Sequence, residues 1–280
     1  MSAATALRAG FARVAERPSA YLAEVTWRWA AQVAIMVLAL TGVAEFLNSV
    51  EVTGPYAFAG AGTHFLQLIA ILLGGAILLW CTAAAAGRNA VLLPLCGDQA
   101  PGNYRALFWL NFLRAVLLLA AVPAFGGAWL AATIVSAKHL HPLPWPDAAG
   151  FWLIFCPLAV LIAGAWALLY WLLTLAPIPA AGSGMRAPDA LACALAMIHE
   201  RPLQLAAVGL VFGVLRLVSL WITVQVAWVV FSVGAFSRPA EAGLFAVVVA
   251  MYCVFSEYLY VARLGAYAAV VQASRCEVPA

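Results

Sequence analysis

The sequence predicts an all-α integral membrane protein, a polytopic bundle of about six transmembrane helices. Of its 280 residues, 66% are hydrophobic and 9% are charged, and the mean hydropathy is +1.01. Soluble domains have about 45–50% apolar and about 25% charged residues, so this chain has too few polar side chains to cover a water-facing globule. The second observation is a series of six long stretches with few or no charges, since about 20 apolar helical residues cross a bilayer core.

The six predicted spans are separated by segments that contain turn-forming and helix-breaking residues. The spans cover approximately residues 29–47, 64–86, 110–136, 150–176, 203–232 and 243–262. The predicted connections are 48–63, 87–105, 138–145, 177–201 and 237–241. We expect the spans to pair as three helical hairpins within a single integral membrane domain.

The distribution of basic residues predicts the orientation of the chain. Ten arginines lie on one predicted face: Arg8, Arg13, Arg17, Arg28, Arg88, Arg105, Arg186, Arg201, Arg263 and Arg275. Only Lys138 and Arg238 lie on the opposite face. Because Lys and Arg in short loops are retained in the cytoplasm, both termini are predicted to be cytoplasmic. A signal peptide within residues 1–47 is the alternative, and its removal would leave five spans.

Two amphipathic segments, residues 1–17 and 188–201, are predicted to be interfacial helices on the cytoplasmic side. Each segment ends in the first two residues of the tripeptide Glu-Arg-Pro, which lies at 16–18 and at 200–202. Proline is favourable in the first turn of a helix, so each tripeptide predicts a bend into a spanning helix. The shared pattern indicates either an internal duplication of the first and third hairpins or a common way of entering the membrane.

Three features of the chain occur together: the amphipathic stretch ending in Glu-Arg-Pro, an arginine at the end of even-numbered spans, and the closing sequence YVARLGAYAAVV at 260–271. In these features the chain resembles uncharacterised bacterial six-span inner-membrane proteins, similar to the membrane domain of glycerophosphodiester phosphodiesterases. The resemblance implies a fold and a bacterial inner membrane. It implies no activity, because the hydrophilic catalytic domain that would carry the metal site does not occur in this sequence.

Charged residues inside or immediately beside the predicted spans are the candidate functional residues, since an arginine at a span centre costs about 2.5–3.5 kcal/mol on insertion scales. The candidates are Glu24, Arg28, Arg114, Arg216, Glu257 and Arg263. Arg216 and Glu257 are predicted to pair between the fifth and sixth spans, either as a structural pair or as part of a substrate or proton path. Glu24 and Arg28 have the i,i+4 spacing of a helical ion pair. Arg114 is expected to extend toward lipid headgroups or acidic groups of the chain.

The sequence assigns no metal, cofactor or catalytic residue. His139 and His141 have the spacing of two ligands on an extended loop, and a metal site with His64 is the alternative to a solvated loop. No nucleotide-binding, metalloprotease or serine-hydrolase motif occurs. None of the six cysteines lies in a predicted outer loop, so free thiols are expected.

We therefore expect a non-enzymatic membrane protein that is a structural, accessory or lipid-organising subunit of a membrane assembly. Its expected partners are membrane lipids, together with other membrane subunits or a second copy of the chain. A net charge of +3 is too small to indicate nucleic acid as a partner. The alternative is a small-molecule transporter or efflux component that uses the pair of Arg216 and Glu257, and an intramembrane enzyme is the third interpretation.

Overall fold

The computed structural model describes residues 2–53, 58–97, 100–137, 148–233 and 238–274. Within these ranges the chain forms nine helices and no strand, which confirms the all-α class. The helices are α1 (Ala3–Glu16), α2 (Pro18–Thr53), α3 (Phe58–Cys96), α4 (Tyr104–Ser136), α5 (Ala148–Leu175), α6 (Pro177–Gly182), α7 (Ala187–Glu200), α8 (Pro202–Val233) and α9 (Arg238–Ser274). Six helical segments of this part of the chain are long and apolar enough to cross a membrane, as predicted.

Several predicted connections are helical instead. The connection predicted at 48–63 is shorter in the structure, because α2 continues to Thr53 and α3 begins at Phe58. The break predicted at 87–105 is also too long, since α3 continues to Cys96, and most of the one predicted at 177–201 is occupied by α6 and α7. The predicted outer connection at 138–145 lies outside the described residues.

The position of Pro94 near the end of α3 explains why this proline does not terminate the helix earlier. Pro94 lies in the last turn, where the final backbone carbonyls have no partner within the helix. Two arginines supply donors. Arg17, immediately after α1, donates from Nη1 to the Pro94 carbonyl at 2.6 Å, and Arg13 of α1 donates from Nη1 to the Leu95 carbonyl at 3.1 Å. Burial lowers the pKa of Arg13, and these contacts offset part of the cost of burying its charge. α1 therefore serves as a cap for α3.

Both predicted amphipathic segments are helices with the predicted bend after them. α1 ends at Glu16 and α7 at Glu200, and each is followed by an arginine and then by the proline that begins the next spanning helix. Each helix buries one face, with residues at i,i+3 or i,i+4 spacing, against the rest of the protein. The buried residues are Ala6, Gly10 and Val14 in α1, and Ala190, Ala194 and Met197 in α7. An interfacial location for both helices remains a prediction.

α1 packs closely against α9 at Gly10. A Cβ atom at this position would lie 2.4 Å from the Ala262 backbone oxygen and 2.9 Å from the Ala266 Cβ. These distances are shorter than van der Waals contact, and one of the two neighbours is backbone. Only glycine therefore fits at position 10 while α1 keeps its present distance from α9.

We expect Gly10→Val to separate α1 from α9 and to lower the free energy of unfolding by about 1–2 kcal/mol, because the overpacked site cannot relax into open space. Faster hydrogen exchange in α1 than in the wild type would measure the separation. The matched control is Gly126→Val in α4, where an added Cβ meets no atom within 4 Å. Unchanged exchange of α1 in Gly10→Val would contradict this account of the interface.

Consecutive spanning helices pack together, α2 with α3, α4 with α5 and α8 with α9. Most of the hydrophobic core lies at one end of the protein, where α1, α6 and α7 meet the ends of the spanning helices; we call this the closed end, and the opposite one the far end. Outside the core, large apolar side chains are exposed on every spanning helix, including Leu40, Ile71, Val122, Leu161, Leu210 and Met251. Such a surface is suited to lipid and not to water.

Candidate functional site

The aromatic ring of Tyr260 on α9 lies among guanidinium groups from several helices. The Cζ atoms of Arg28 on α2, Arg263 on α9 and Arg88 on α3 lie 4.3, 5.2 and 5.8 Å from the centre of the ring. Arg114 on α4 lies within electrostatic range of both Arg88 and Tyr260. We call these four arginines, with Tyr260 at their centre, the arginine cluster. A tyrosine ring attracts cations through its quadrupole, which partly offsets the repulsion among these side chains.

A close contact between α2 and α3 brings Arg28 toward Arg88. A Cβ atom at Gly87 would lie 2.1 Å from Cγ of Trp27, so the absence of a side chain at position 87 allows the indole ring to pack directly on α3. Trp27 also lies 5.5 Å from Trp80, measured between ring centres. Because residues 27 and 28 are adjacent on α2, and 87 and 88 on α3, this contact fixes the spacing of the two arginines.

Arg28 is the member of the cluster whose charge is compensated. Its Nε atom donates to Glu24 Oε1, which confirms the predicted helical ion pair, and lies 3.3 Å from Glu257 Oε2. Glu24 is completely buried and also accepts a hydrogen bond of 2.7 Å from the Trp27 indole nitrogen. One guanidinium thus serves two carboxylates, from α2 and α9.

The expected pairing of Arg216 with Glu257 is replaced by the pairing with Arg28. Among the described residues, Arg216 forms no ion pair; its side chain is exposed on α8 and acts on Glu257 only at longer range. The physical reason is that Arg28 and Glu257 lie where α2 and α9 pack together. This contact between the first and last spanning helices is not visible in the local pattern of either one.

Arg114 is held by α5, and no acidic side chain of the described residues lies within ion-pair distance of it. Its expected contact with lipid headgroups stays a prediction. Its Nη2 atom donates to the Leu173 carbonyl at 2.9 Å and to Thr174 Oγ1 at 3.1 Å, and its Cζ atom lies 4.9 Å from the centre of the Tyr170 ring. These neutral partners fix the position of the guanidinium without removing its charge.

Several polar atoms of the cluster are buried and have no hydrogen-bond partner among the described residues. They are Arg88 Nε and Nη1, Arg114 Nε and Arg263 Nε, whereas the Tyr260 hydroxyl lies within hydrogen-bonding reach of Arg114. Arg88 is the most notable, because only 3% of its surface is exposed and no carboxylate of the described chain lies within ion-pair distance. Buried polar groups nearly always have partners, and a buried charge without one is costly.

The charges of the site do not balance. Four guanidinium groups face two carboxylates, Glu24 and Glu257, which leaves two positive charges in excess. Arginine presents several donors in a planar fork that matches the oxygens of phosphates and carboxylates. The arrangement is therefore suited to binding an anion.

A second concave feature lies at the closed end, between the beginnings of α4 and α7. It is a cavity of about 630 Å³ lined by Arg105, Trp109 and Arg186, among others. Arg105 is exposed, and Arg186 is 83% exposed and paired with Asp189 at 2.9 Å. Because its cations are exposed, this cavity lacks the uncompensated buried charge that distinguishes the arginine cluster.

Comparison with known proteins gives no assignment: no protein-family model matches the chain, and no curated protein or solved structure is significantly similar to it. The resemblance to bacterial six-span inner-membrane proteins remains a prediction. The residues of the site are therefore the basis for assigning a function to this chain.

Sequence reasoning found five of the seven residues that the site brings together and missed Arg88 and Tyr260. Arg88 was assigned to a connection, since Gly87 and the later prolines indicated a turn. The available signal was the run of small residues before it, Ala83–Gly87, which continues the helix and permits close packing. Tyr260 gave no signal, because a tyrosine near a span end is typical of membrane proteins in general.

His139 and His141, which were considered as an alternative metal site, lie outside the described residues, as does the side chain of His64. No group of three or more potential metal ligands occurs in the part of the chain that the structure describes. The expectation that all cysteines are free thiols is wrong for Cys193, which is disulfide-bonded. Four other cysteines, Cys81, Cys96, Cys156 and Cys253, are free. Sequence spacing alone does not show which cysteines meet in space.

Proposed function

We propose that this chain is a non-enzymatic, lipid-organising membrane protein that binds the anionic headgroup of a lipid in the arginine cluster. The observation that carries the proposal is the buried guanidinium of Arg88, which has no carboxylate partner among the described residues. An anion would supply the missing hydrogen-bond acceptors and balance the charge. A guanidinium forms stronger hydrogen bonds with an anion than with a neutral group.

The depth of the cluster supports a headgroup as the ligand. α2 has 36 residues and is about 54 Å long at 1.5 Å per residue, whereas a bilayer with its headgroup regions is about 40–45 Å thick. α3 and α9 are longer still, with 39 and 37 residues. Helices of this length extend past the hydrocarbon core. Arg28 lies ten residues after Pro18, about 15 Å from the closed end of α2, which is consistent with the headgroup boundary.

The apolar outer surface supplies the second half of a lipid site. Exposed apolar side chains continue from the level of the cluster toward the far end, for example Val33, Met36 and Leu40 on α2 and Met251 on α9. A lipid with its headgroup in the cluster would lay its acyl chains along such a surface. With ten arginines predicted on this side, the proposal places the closed end and both termini in the cytoplasm, and the protein in the inner membrane of a bacterium.

Transport is less well supported. The transporter alternative depended on a pair between Arg216 and Glu257, and Glu257 instead contacts Arg28. Membrane subunits or a second copy of the chain remain proposed partners that would pack on the same exposed apolar helices.

The experiment is mass spectrometry of lipids that copurify with the protein in a mild detergent. We expect the wild type to retain anionic phospholipid above its fraction in the membrane, and Arg88→Gln to lose that enrichment. The matched control is Arg8→Gln, which removes the same charge from an exposed position of α1. Bound lipid with the composition of the bulk membrane in the wild type would contradict the proposed function.

A further inference from the structure

We infer that the ligand of the arginine cluster is a phosphate monoester, and not a phosphodiester such as the headgroups of most membrane phospholipids. This inference rests on the proposed function and names the chemistry of its ligand. It follows from two independent features of the site, the number of uncompensated charges and the number and origin of the unpartnered donors.

The charge of the site matches a dianion. Arg28, Arg88, Arg114 and Arg263 carry four positive charges, and Glu24 and Glu257 carry two negative ones. The other groups around them, Tyr170, Tyr260 and Tyr267, are phenols and contribute no carboxylate. Arg216 lies farther out with an exposed side chain and adds positive charge. A phosphate monoester carries about −1.5 to −2 near pH 7, whereas a phosphodiester or a carboxylate carries −1 and would leave one buried cation uncompensated.

The donors come from three helices. Arg88 contributes two unpartnered donor nitrogens from α3, Arg114 contributes one from α4, and Arg263 contributes one from α9. A monoester has three terminal oxygens, all strong acceptors, and a diester has two. Donors that approach from three helices suit the tetrahedral group with more acceptors, and a planar carboxylate with two oxygens fits them less well.

This chemistry has two possible sources. One is a lipid whose headgroup is a bare phosphate, with its acyl or prenyl chains on the exposed apolar helices. The other is a free phosphate or a soluble monoester that enters from the closed end. Both place the same dianion among the same donors, and competition distinguishes them.

The test is displacement of radiolabelled phosphatidate, a monoester lipid, from detergent-solubilised wild-type protein. The competitors are phosphatidate, phosphatidylglycerol, phosphatidylcholine and inorganic phosphate. At pH 7.5 we expect phosphatidate to compete on the order of tenfold better than phosphatidylglycerol, because it carries additional charge into a site of low dielectric. If inorganic phosphate at millimolar concentration displaces phosphatidate, the ligand is the free ion or a soluble monoester. If inorganic phosphate does not displace it, the ligand is a lipid.

The pH dependence provides a test that needs no variant. The second pKa of a phosphate monoester is about 6, so the ligand is largely a dianion at pH 7.5 and a monoanion at pH 5.5. The preference for phosphatidate over phosphatidylglycerol should therefore be present above pH 6 and decrease toward equality below it.

Arg88→Gln should remove the preference at pH 7.5, while Arg8→Gln should keep it.

Two contrary results separate this inference from the proposed function. If phosphatidate and phosphatidylglycerol compete equally at pH 7.5 and both exceed phosphatidylcholine, the monoester inference is wrong and anionic lipid binding stands. If labelled phosphatidate and labelled phosphatidylglycerol both bind no better than labelled phosphatidylcholine, the proposed function and the inference fall together.

Discussion

Glu24→Ala is expected to lower the free energy of unfolding by about 3 kcal/mol, the typical cost of removing one partner from a buried ion pair. Glu24 is completely buried and accepts hydrogen bonds from Arg28 Nε and from Trp27 Nε1. Its loss would leave the indole N–H without an acceptor and Arg28 with Glu257 alone. It would also raise the excess charge of the cluster from two to three.

Titration with a denaturing detergent, followed by tryptophan fluorescence, measures this effect. Glu24→Gln provides a graded comparison, because the amide keeps an acceptor for Trp27 and loses only the charge, so its effect should be smaller. Glu16→Ala removes a carboxylate from an exposed position of α1 and should change the stability by less than about 0.5 kcal/mol. A small effect of Glu24→Ala, comparable to that of Glu16→Ala, would show that Arg28 does not need this carboxylate.

The features predicted correctly from the sequence depend on local patterns. Six spans follow from hydropathy, because a bilayer requires a minimum length of apolar helix whatever the tertiary structure. The ends of α1 and α7 follow from the glutamate, arginine and proline at 16–18 and 200–202, since proline favours the start of a helix. The pair of Glu24 and Arg28 follows from its i,i+4 spacing within one helix.

The features that were missed depend on contacts between distant helices. Glu257 has its cation on α2 and not on the neighbouring α8, which no property of α9 alone indicates. The extension of α3 to Cys96 was missed because Pro94 is a helix breaker in isolation. Its position in the last turn is tolerated, and Arg17 and Arg13 donate to the carbonyls of Pro94 and Leu95. Sequence patterns therefore predicted most members of the site and the one pair within a single helix, but not the contacts between distant helices.

Arg88→Met is expected to raise the stability of the lipid-free protein, by about 1–2 kcal/mol. Arg88 is 3% exposed and has no carboxylate partner in the described structure, so its burial without a ligand costs free energy that methionine would not incur. Methionine is unbranched and flexible and can occupy much of the same volume. The same substitution should remove the additional stability that an anionic lipid gives the wild type.

Melting temperatures in detergent, with and without phosphatidate, measure both effects. Without lipid, we expect the wild type to have a lower melting temperature than Arg88→Met. On addition of phosphatidate, the melting temperature of the wild type should rise by more than that of the variant, because a ligand stabilises only the state that binds it. Arg8→Met, at an exposed position of α1, should leave both values unchanged. A variant that is destabilised equally with and without lipid would make Arg88 a structural residue. Arg88→Met should thus raise the stability of the lipid-free protein and lower the stabilisation by phosphatidate. These opposite effects indicate a binding site, where a protein retains an unfavourable charge because its ligand balances that charge.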